Sequence, residues 1–364
     1  MESIHAAAVV SSGSAVTDAR PPDVAGLDTP EPRCYPCGRF AGNVATRIAG
    51  HGGPPLNVTV TGAAGFIGSN VAEYLQAAGH RVTGIDDLSL GRAVNVRPNI
   101  PLIVGDAASA KVWAQVGQVD AIVHLAGPSS TPMFLEDPPR AYGTNLTAFL
   151  RVLEEARARG VRKIAYASSS LIYGNVEIPL VESGPTDVLN SYALSKLHME
   201  QIASMYEVEF GLPSVGLRFM SIYGPREDHK GRLANLVSQF IWSLEAGASP
   251  VVYGDGAQTR DFTSVWDAAQ AIQRVIERDV PEGTRVLNVG TGVATSVNAL
   301  VALLSRMMGV PARPEYVPVP GGRAYNLRQR ASLERIAAAT GYAPSVTLEQ
   351  GVAEILRVRG WRAR

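Results

Sequence analysis

Tyr192 and Lys196 are the two residues whose types and spacing most clearly suggest chemistry. They belong to Tyr192-Ala-Leu-Ser-Lys196 at the start of a predicted helix, where residues four apart share a face. We expect the Lys196 ammonium to lie beside the phenol and to lower the pKa of Tyr192 from its usual value of about 10, because a nearby cation favours the phenolate. Such a tyrosine can take a proton from a hydroxyl group at neutral pH while a hydride leaves the same carbon.

Three consecutive serines could supply a hydroxyl to the same reaction. Ser168, Ser169 and Ser170 come at the end of a predicted strand, where active-site groups collect in open parallel sheets. One of them could hold the oxygen of a substrate. At least one is expected to be an ordinary turn residue, and the spacing alone does not distinguish them.

A glycine-rich turn between a strand and a helix predicts the cofactor. Val58–Val60 is a short apolar strand, and Gly62, Gly65 and Gly68 then lead into a helical pattern. Such a turn aims backbone N–H groups and the positive end of a helix at a pyrophosphate. A second predicted strand ends in Asp86, 18 residues after Gly68, near the spacing expected for a carboxylate on the adenosine ribose. An acid there repels a 2′-phosphate, so the pattern predicts NAD rather than NADP.

The elements that must position these motifs alternate between strand and helix. The predicted strands are Asn57–Val60, Arg81–Ile85, Pro101–Val104, Ala121–Leu125, Lys163–Ala167, Ser214–Arg218, Pro250–Tyr253 and Arg285–Val289. The predicted helices are Ser69–Ala78, Ala141–Arg159, Ser191–Phe210, Leu233–Ala246, Val265–Glu277 and Ser296–Met308. This alternation predicts an α/β fold with a Rossmann-type doubly wound parallel sheet and a smaller C-terminal α/β substrate-binding lobe.

The same patterns divide the chain into regions. Residues 1–55 are rich in Ala, Gly, Pro, Ser and Asp without a sustained period, so we predict a disordered extension there. Residues 56–218 are predicted to form the NAD-binding Rossmann domain, continued by parts of 243–292. Residues 219–242 and 293–364 are then the predicted substrate-binding lobe.

Overall composition argues against several classes of protein. Lys plus Arg and Asp plus Glu both number 33, so the charge gives no reason to expect a nucleic-acid or membrane partner. No apolar run approaches the length of a membrane span. Cys34 and Cys37 are the only cysteines, and without a second pair they predict no metal site. The lack of cysteine in the rest of the chain suits a reducing, cytoplasmic location.

From Leu56 to about Val352 the chain resembles the extended short-chain dehydrogenase/reductases, in particular their NAD-dependent nucleotide-sugar epimerase/dehydratase branch. The matching stretches are Thr61–Gly68, Asp86–Arg92, Gly105-Asp106, His124–Gly127, the serine run, Ser191–Lys196, Arg218–Pro225, Tyr253–Phe262, Asn288–Gly292 and Gly341-Tyr342. The resemblance implies that Ser169, Tyr192 and Lys196 are the catalytic residues.

The resemblance also implies the residues that hold NAD and the substrate. The implied cofactor-binding residues are Gly62, Gly65, Phe66, Ile67, Gly68, Asp86, Asp87, Ser89, Gly91, Arg92, Asp106, Ala107, Leu125, Ala126, Gly127, Asn145, Tyr192 and Lys196. The implied substrate-binding residues are Ser129, Ser130, Ser170, Ser221, Arg260 and Arg323, with Arg260 matching an arginine that clamps the substrate diphosphate. Ser221 stands where the family usually has an asparagine that meets the same diphosphate.

The residues after Ser169 bear on which reaction the chain catalyses. Dehydratases of the family place Asp-Glu after the catalytic hydroxyl, and decarboxylases carry a Glu two positions after it, whereas this chain has Ser170 and Leu171. The resemblance therefore favours a UDP-sugar 4-epimerase, which works by C4 oxidation, rotation of the keto sugar and hydride return. The alternatives are a dehydratase or a 3-/5-epimerase, for which His229 and Glu177 are candidate bases, and a non-catalytic dinucleotide-binding sensor.

The expected partners are a UDP-sugar and a second copy of the chain. The resemblance implies a homodimer in which Ala141–Arg159 and Ser191–Phe210 pack as a four-helix bundle. Both segments carry apolar residues that could serve either the interface or the core: Leu146, Phe149, Leu150, Leu153, Leu197, Ile202 and Met205.

Overall fold

A seven-stranded parallel sheet forms the centre of the computed structural model, which describes residues 54–319 and 325–362. Its strands are β1 (Asn57–Thr61), β2 (Arg81–Asp86), β3 (Leu102–Val104), β4 (Ala121–His124), β5 (Lys163–Ser169), β6 (Val215–Phe219) and β11 (Val286–Val289). Their order in the sheet is β11-β6-β5-β4-β1-β2-β3. The predicted Rossmann-type α/β fold is thereby confirmed.

Helices cover both faces of the sheet, which explains why its strands are apolar throughout. On one face lie α1 (Phe66–Ala77) and α7 (Val265–Glu277), whose buried side chains share one apolar core with β1. On the other face lie α4 (Pro138–Arg159) and α5 (Ser191–Phe210), which contribute to a second core.

Capping residues decide where several helices begin. The helix α4 begins at Pro138, three residues before the predicted start, because the Asp137 side chain accepts a hydrogen bond from the Arg140 N–H and proline is tolerated in a first turn. The helix α5 has the predicted bounds, with Asn190 capping the Ala193 N–H at 2.9 Å. The helix α6 (Leu236–Glu245) begins after its predicted start, behind a 3-10 turn over Asp228–Leu233 and an Asn235 cap.

The later part of the chain forms smaller sheets and a third apolar core. The strand pairs are β7 (Ser221–Tyr223) with β10 (Phe262–Ser264), β9 (Thr259–Arg260) with β12 (Thr295–Ser296), and β8 (Val251–Tyr253) with β13 (Glu315–Val317). The helices α6, α8 (Val297–Met308) and α10 (Leu348–Arg359) supply most of the third core. Short helices that the sequence analysis did not predict are α2 (Ala110–Trp113), α3 (Thr131–Glu136) and α9 (Glu334–Thr340).

Some predictions fall on residues that the structure does not describe. The 1–55 extension lies almost entirely outside the described residues, as do Cys34, Cys37 and Arg323. Among residues 54–319 and 325–362, no helix is long and apolar enough to span a membrane. In the same part of the chain, no group of three or more His, Cys, Asp or Glu side chains could hold a metal ion.

Candidate active site

The site begins where the order of the sheet reverses, between β1 and β4. Thr61 and His124 are paired at the ends of these strands, and the Thr61 hydroxyl lies 2.7 Å from Nδ1 of His124. The glycine-rich turn follows β1, and Leu125–Gly127 follow β4. At such a switch point, the loops that follow the two neighbouring strands run in opposite directions. A crevice therefore forms at the carboxyl ends of these strands.

The first and last glycines of the turn are required by close packing. Gly62 has a φ of +72°, and a Cβ at this position would lie 2.7 Å from the Ala126 nitrogen. A Cβ on Gly68 would lie 1.9 Å from the Gly62 carbonyl oxygen, so helix α1 can approach the turn only with glycine there. Gly62 thus makes the turn possible, and Gly68 allows helix α1 to pack closely against it.

Gly65 leaves the start of α1 open to an anion. It is the N-cap of the helix, has no side chain with which to cap it, and no acidic residue lies in the first turn. The N–H groups of Phe66 and Ile67 at the start of a helix have no intrahelical acceptor. These donors and the helix dipole suit a diphosphate.

Asp86, which is predicted to bind the ribose, holds the turn in place. Its Oδ2 accepts the Ala64 N–H at 2.9 Å, and its Oδ1 accepts the Leu88 N–H at 2.8 Å. Burial raises the pKa of Asp86, and these hydrogen bonds work in the opposite direction. The two contacts leave lone pairs of the carboxylate for ribose hydroxyls.

The loop after Asp86 wraps around the glycine-rich turn. Asp87 accepts the Ser89 N–H at 3.0 Å, and the Arg92 N–H donates to the Ala64 carbonyl at 3.0 Å. A Cβ on Gly91 would lie 2.7 Å from the Ala64 carbonyl carbon. Asp87, Gly91 and Arg92 therefore shape this loop around the turn, while Ser89 and Arg92 are both exposed.

The predicted adenine contacts follow β3. Asp106 is exposed, and its Oδ1 accepts the Ala108 N–H at 2.8 Å. The Ala107 carbonyl accepts a hydrogen bond from the Trp113 indole at 2.8 Å. These bonds fix the loop while leaving the second Asp106 carboxylate oxygen with no partner among the described residues.

Three buried polar groups meet on the other side of the crevice without full sets of partners. His124 Nε2 and Asn145 Oδ1 have no hydrogen-bond partner among the described residues. Gly127 has a φ of +125°, and a Cβ there would lie 2.1 Å from Asn145 Oδ1, so glycine keeps this space open. Lys196 is 4% exposed, and the only hydrogen bond found for its ammonium in the described chain goes to Met199 Sδ at 3.6 Å. Buried groups of this kind indicate that a polar ligand completes the site.

Ser169 and Tyr192 form the centre of the candidate active site. The Ser169 hydroxyl accepts the Leu171 N–H at 3.2 Å and lies close enough to the Tyr192 phenol to act on its pKa. Ser168 is instead the structural serine, since its hydroxyl donates to Glu200 at 2.5 Å, and Glu200 forms a buried ion pair with Arg218. The structure thus separates two serines that the sequence spacing does not distinguish.

The predicted lowering of the Tyr192 pKa by Lys196 is not found, and this expectation is corrected. Burial raises the pKa of Tyr192, while the hydrogen bond from Ser169 works in the opposite direction. The Lys196 ammonium acts instead on His124, whose pKa falls to about 3 through burial and then through this nearby cation. Burial also lowers the pKa of Lys196 to about 8, so the lysine stays largely protonated at neutral pH.

Phe134 on α3 packs against the Tyr192 ring. It is 1% exposed, and its ring centroid lies 5.8 Å from that of Tyr192. Leu171 packs against the same small apolar cluster. This cover accounts for the burial of Tyr192 and provides no acidic or basic group beside it.

The substrate side is anchored by a segment distant in sequence. The Gln329 side chain bridges Ser170 and Ser221, donating to Ser170 Oγ at 2.6 Å and accepting from Ser221 Oγ at 2.8 Å. Arg260 lies in β9 with its guanidinium carbon 5.2 Å from the Tyr325 ring centroid. Burial lowers the pKa of Arg260, and no carboxylate pairs with it within the described residues.

The remaining predicted site residues are not all placed equally well to contribute to this site. Ser130 Oγ is buried without a partner in the described chain, and Ser129 is exposed. His229 is near Arg92 and Lys230, whose charges lower its pKa together with the larger effect of burial. Glu177 is exposed, and no contact brings it or His229 to Tyr192 in the part of the chain that the structure describes.

The model of the NAD dependent epimerase/dehydratase family matches residues 58–290. The chain belongs to this family. The predicted family, the predicted cofactor NAD and the interpretation as an NAD-dependent nucleotide-sugar epimerase are thereby confirmed. The match includes the glycine-rich turn, the serine run and the Tyr192–Lys196 helix.

Individual epimerases resemble the chain over most of its length. A UDP-glucose 4-epimerase of Mycolicibacterium smegmatis is 34% identical over 308 residues, covering 82% of this chain and 97% of the relative. The crystal structure of the Thermotoga maritima UDP-glucose 4-epimerase with UDP-glucose has a TM-score of 0.78 at 28% identity, covering 84% of this chain and 99% of that one. The Thermus thermophilus UDP-glucose 4-epimerase complex with NAD has a TM-score of 0.74 at 29% identity, with the same two coverages.

The residues of this family member fit NAD. The open start of α1 suits the diphosphate of the cofactor, and Asp86 suits its adenosine ribose. The incompletely bonded Lys196, Asn145 and His124 lie where further cofactor hydroxyls can be bound. Sequence analysis assigned no role to His124, although the residue lies within a motif that it singled out.

Proposed function

We propose that the protein is a UDP-sugar 4-epimerase. The observation that carries this proposal is the proximity of the Ser169 hydroxyl to the Tyr192 phenol, with no acidic or basic side chain at the two residues after Ser169. This arrangement supports removal and return of a hydroxyl proton. It offers no group for the elimination of water or for enolisation at a neighbouring carbon.

Tyr192 is the proposed acid–base residue. As a phenolate it takes the proton of the sugar C4 hydroxyl, and as the resulting phenol it gives that proton back to the C4 oxygen once the hydride has returned. Ser169 positions the sugar oxygen through its hydroxyl. The aromatic cover from Phe134 excludes water from the phenol. When bound, NAD accepts a hydride from C4 of the sugar and gives it back.

Lys196 supplies positive charge within the same crevice. With a pKa of about 8 it is mostly an ammonium at neutral pH, and its weak Met199 partner leaves its donors to cofactor hydroxyls. In the proposed mechanism its positive charge favours the phenolate of Tyr192, against the burial that raises the pKa of the phenol. His124 stays neutral and accepts a hydrogen bond through Nε2.

Arg260 is the proposed anchor of the substrate diphosphate. Its guanidinium is buried beside Tyr325 and lacks a carboxylate partner in the described residues, so a diphosphate can supply the missing charge. The third core, formed by α6, α8 and α10, supports our proposal that the later part of the chain is the substrate lobe. The contribution of Arg323 stays a prediction.

The test is proton NMR of the purified protein with UDP-glucose, UDP-N-acetylglucosamine and UDP-glucuronate in separate D2O samples. We expect one sugar to be converted to its C4 epimer without deuterium at any sugar carbon. Deuterium at C3 or C5, or a keto product, would establish an enolising or eliminating enzyme instead. The absence of any reaction with these and other nucleotide sugars would favour the dinucleotide sensor.

A homodimer through α4 and α5 is the proposed assembly. Leu150, Met205 and Val208 are 39%, 48% and 64% exposed, so these helices carry apolar side chains outside the core. The sequence left Phe149 and Leu153 open to a role in either the interface or the core, and both are fully buried in the core. We therefore exclude them from the proposed interface. Light scattering should give the mass of two chains, and Met205→Glu should shift it toward one.

We also propose a cytoplasmic location. The support is the absence of cysteine from residues 56–364, which suits a reducing compartment. Fractionation of the source cells followed by immunodetection tests this directly, and recovery of the enzyme outside the cytoplasmic fraction would contradict it.

A further inference from the structure

The Gln329 side chain joins the serine run to strand β7, which begins at Ser221. It is 4% exposed and uses both ends of its amide. Oε1 accepts from the Ser221 hydroxyl at 2.8 Å and from the Asp261 N–H at 3.3 Å, and Nε2 donates to Ser170 Oγ at 2.6 Å. The two serines are 51 positions apart in the sequence (221 − 170).

The orientation of the Gln329 amide follows from the Asp261 contact. A backbone N–H can only donate, so the amide oxygen must face Asp261 and Ser221. The amide NH2 group must then face Ser170. Ser170 Oγ therefore acts as an acceptor toward Gln329, and its own O–H is left to donate elsewhere. Within the described residues, no other hydrogen bond of the Ser170 hydroxyl is found.

Ser221 has the opposite hydrogen-bonding role toward Gln329, since it donates where Ser170 accepts. Its hydroxyl proton is given to Gln329, so its oxygen can only accept from a ligand. A diphosphate offers acceptors and no donors at neutral pH, so Ser221 is poorly suited to the diphosphate contact expected from its position in the sequence. A sugar hydroxyl can serve both serines, because it donates and accepts.

The segment that carries Gln329 is held on both sides of the site. Toward the serine run, the Leu180 N–H donates to the Arg330 carbonyl at 2.7 Å, and Asn326 donates to the Gly174 carbonyl at 2.8 Å. Toward the strand of Arg260, the Thr259 N–H donates to the Leu327 carbonyl at 2.9 Å. These contacts fix the backbone of Gln329, so its amide has little freedom to turn.

We propose that Gln329 is a positioning residue that sets the sugar specificity of the site. By donating to Ser170, it makes that hydroxyl a hydrogen-bond donor to an oxygen of the bound sugar, next to the catalytic Ser169. By accepting from Ser221, it makes that hydroxyl an acceptor. The inference rests on the proposed function, since it takes the sugar of a UDP-sugar to be the group that these serines meet.

The decisive variant is Gln329→Glu, which keeps the shape of the side chain and reverses its polarity toward Ser170. A carboxylate only accepts, so the Ser170 O–H must turn to it and is lost to the sugar. Calorimetry on the NAD-loaded protein would measure the dissociation constants of UDP-glucose and of UDP. We expect the constant for UDP-glucose to rise about tenfold, the loss of roughly one hydrogen bond, and that for UDP to stay within about twofold.

Ser170→Ala supplies a second, less disruptive measurement. It should weaken the binding of UDP-glucose as Gln329→Glu does. Combining the two substitutions should cause no further loss of affinity, because both remove the same hydrogen-bond donor. Gln350→Glu is the matched control. Gln350 closes a capping box at the start of α10, where glutamate serves equally well, so both constants should be unchanged.

The proposal would be overturned if the variants bound UDP and UDP-glucose with equally reduced affinity, or if neither affinity were reduced. A Gln329→Glu protein that does not fold leaves Ser170→Ala to give the same decision. Binding does not require turnover, so a wild-type protein that binds UDP-glucose but does not epimerise it would contradict the proposed function while leaving this inference open to its own result.

Discussion

On the cofactor side of the site the contacts are made largely by backbone groups, whereas on the substrate side they are made by side chains that join distant segments. The turn, helix α1 and β2 come together within a short stretch of chain, through contacts of Gly62, Gly68 and Asp86. The Gln329 amide joins segments that are 159 and 108 positions away. We therefore expect cofactor binding to depend on backbone shape, and sugar binding to depend on a few hydrogen-bonding groups.

Gly68→Ala should have the largest effect, because backbone packing leaves no room for a methyl group. The new Cβ would lie 1.9 Å from the Gly62 carbonyl oxygen, so α1 must move away from the turn. We expect purified protein to contain almost no NAD and to lose several degrees of melting temperature. Gly117→Ala is the control, since a Cβ there meets nothing within 4 Å. Full NAD content in Gly68→Ala would refute the backbone account of this side.

Tyr192→Phe should abolish most of the turnover while leaving both binding regions intact. Removal of an acid–base group costs on the order of 10²–10⁴ in kcat. NAD content and the dissociation constant of UDP should stay close to those of the wild type, because the phenol ring still packs against Phe134. Single-turnover kinetics measure the loss, and a decrease of less than about tenfold would remove Tyr192 from the acid–base role.

Arg260→Ala should weaken the substrate and spare the cofactor. Loss of hydrogen bonds to a charged group costs roughly 1.5–3 kcal/mol, which corresponds to about a 10–150-fold rise in the dissociation constant of UDP. Arg328→Ala, at an exposed position of the neighbouring segment, is the control. A variant of Arg260 that lost NAD to the same extent as UDP would show that the two regions are not separate.

The smallest expected effect is a pH dependence of stability that comes from Lys196. Its pKa is lowered by burial from 10.5 to about 8, so between these values the unfolded chain binds a proton that the folded chain does not. Stability should then rise with pH, by about 2 kcal/mol from pH 7 to 9.5 relative to Lys196→Met. Urea unfolding of the cofactor-free proteins at the two pH values measures this difference, and parallel pH profiles would contradict it.

The difference between backbone contacts and side-chain contacts also explains how much of each region the sequence predicts. The glycine spacing, Asp86 and the Tyr192–Lys196 pair lie on local stretches whose pattern specifies the fold around them. Gln329 has no motif of its own, because its role arises only when the chain folds back onto Ser170 and Ser221. The position of the Lys196 ammonium was predicted from helix spacing, but burial and its contacts with Met199 and His124 override that simple expectation.

Helix starts show the same limit on a smaller scale. Periodicity located α4 and α6, but the Asp137 and Asn235 caps decide their first residues. The short helix α3 was not predicted, because six residues are too few for a clear period, yet it places Phe134 against the Tyr192 ring.

The central claim is that one hydride leaves C4 and returns to C4 of the same sugar while Tyr192 moves only the hydroxyl proton. The most direct test uses the UDP-sugar substrate deuterated at C4, incubated with the holoenzyme in ordinary water. The account predicts that the C4 epimer forms with all of its deuterium still at C4, as read by NMR and mass spectrometry. Loss of the deuterium to solvent, or its appearance at another carbon, would contradict the account.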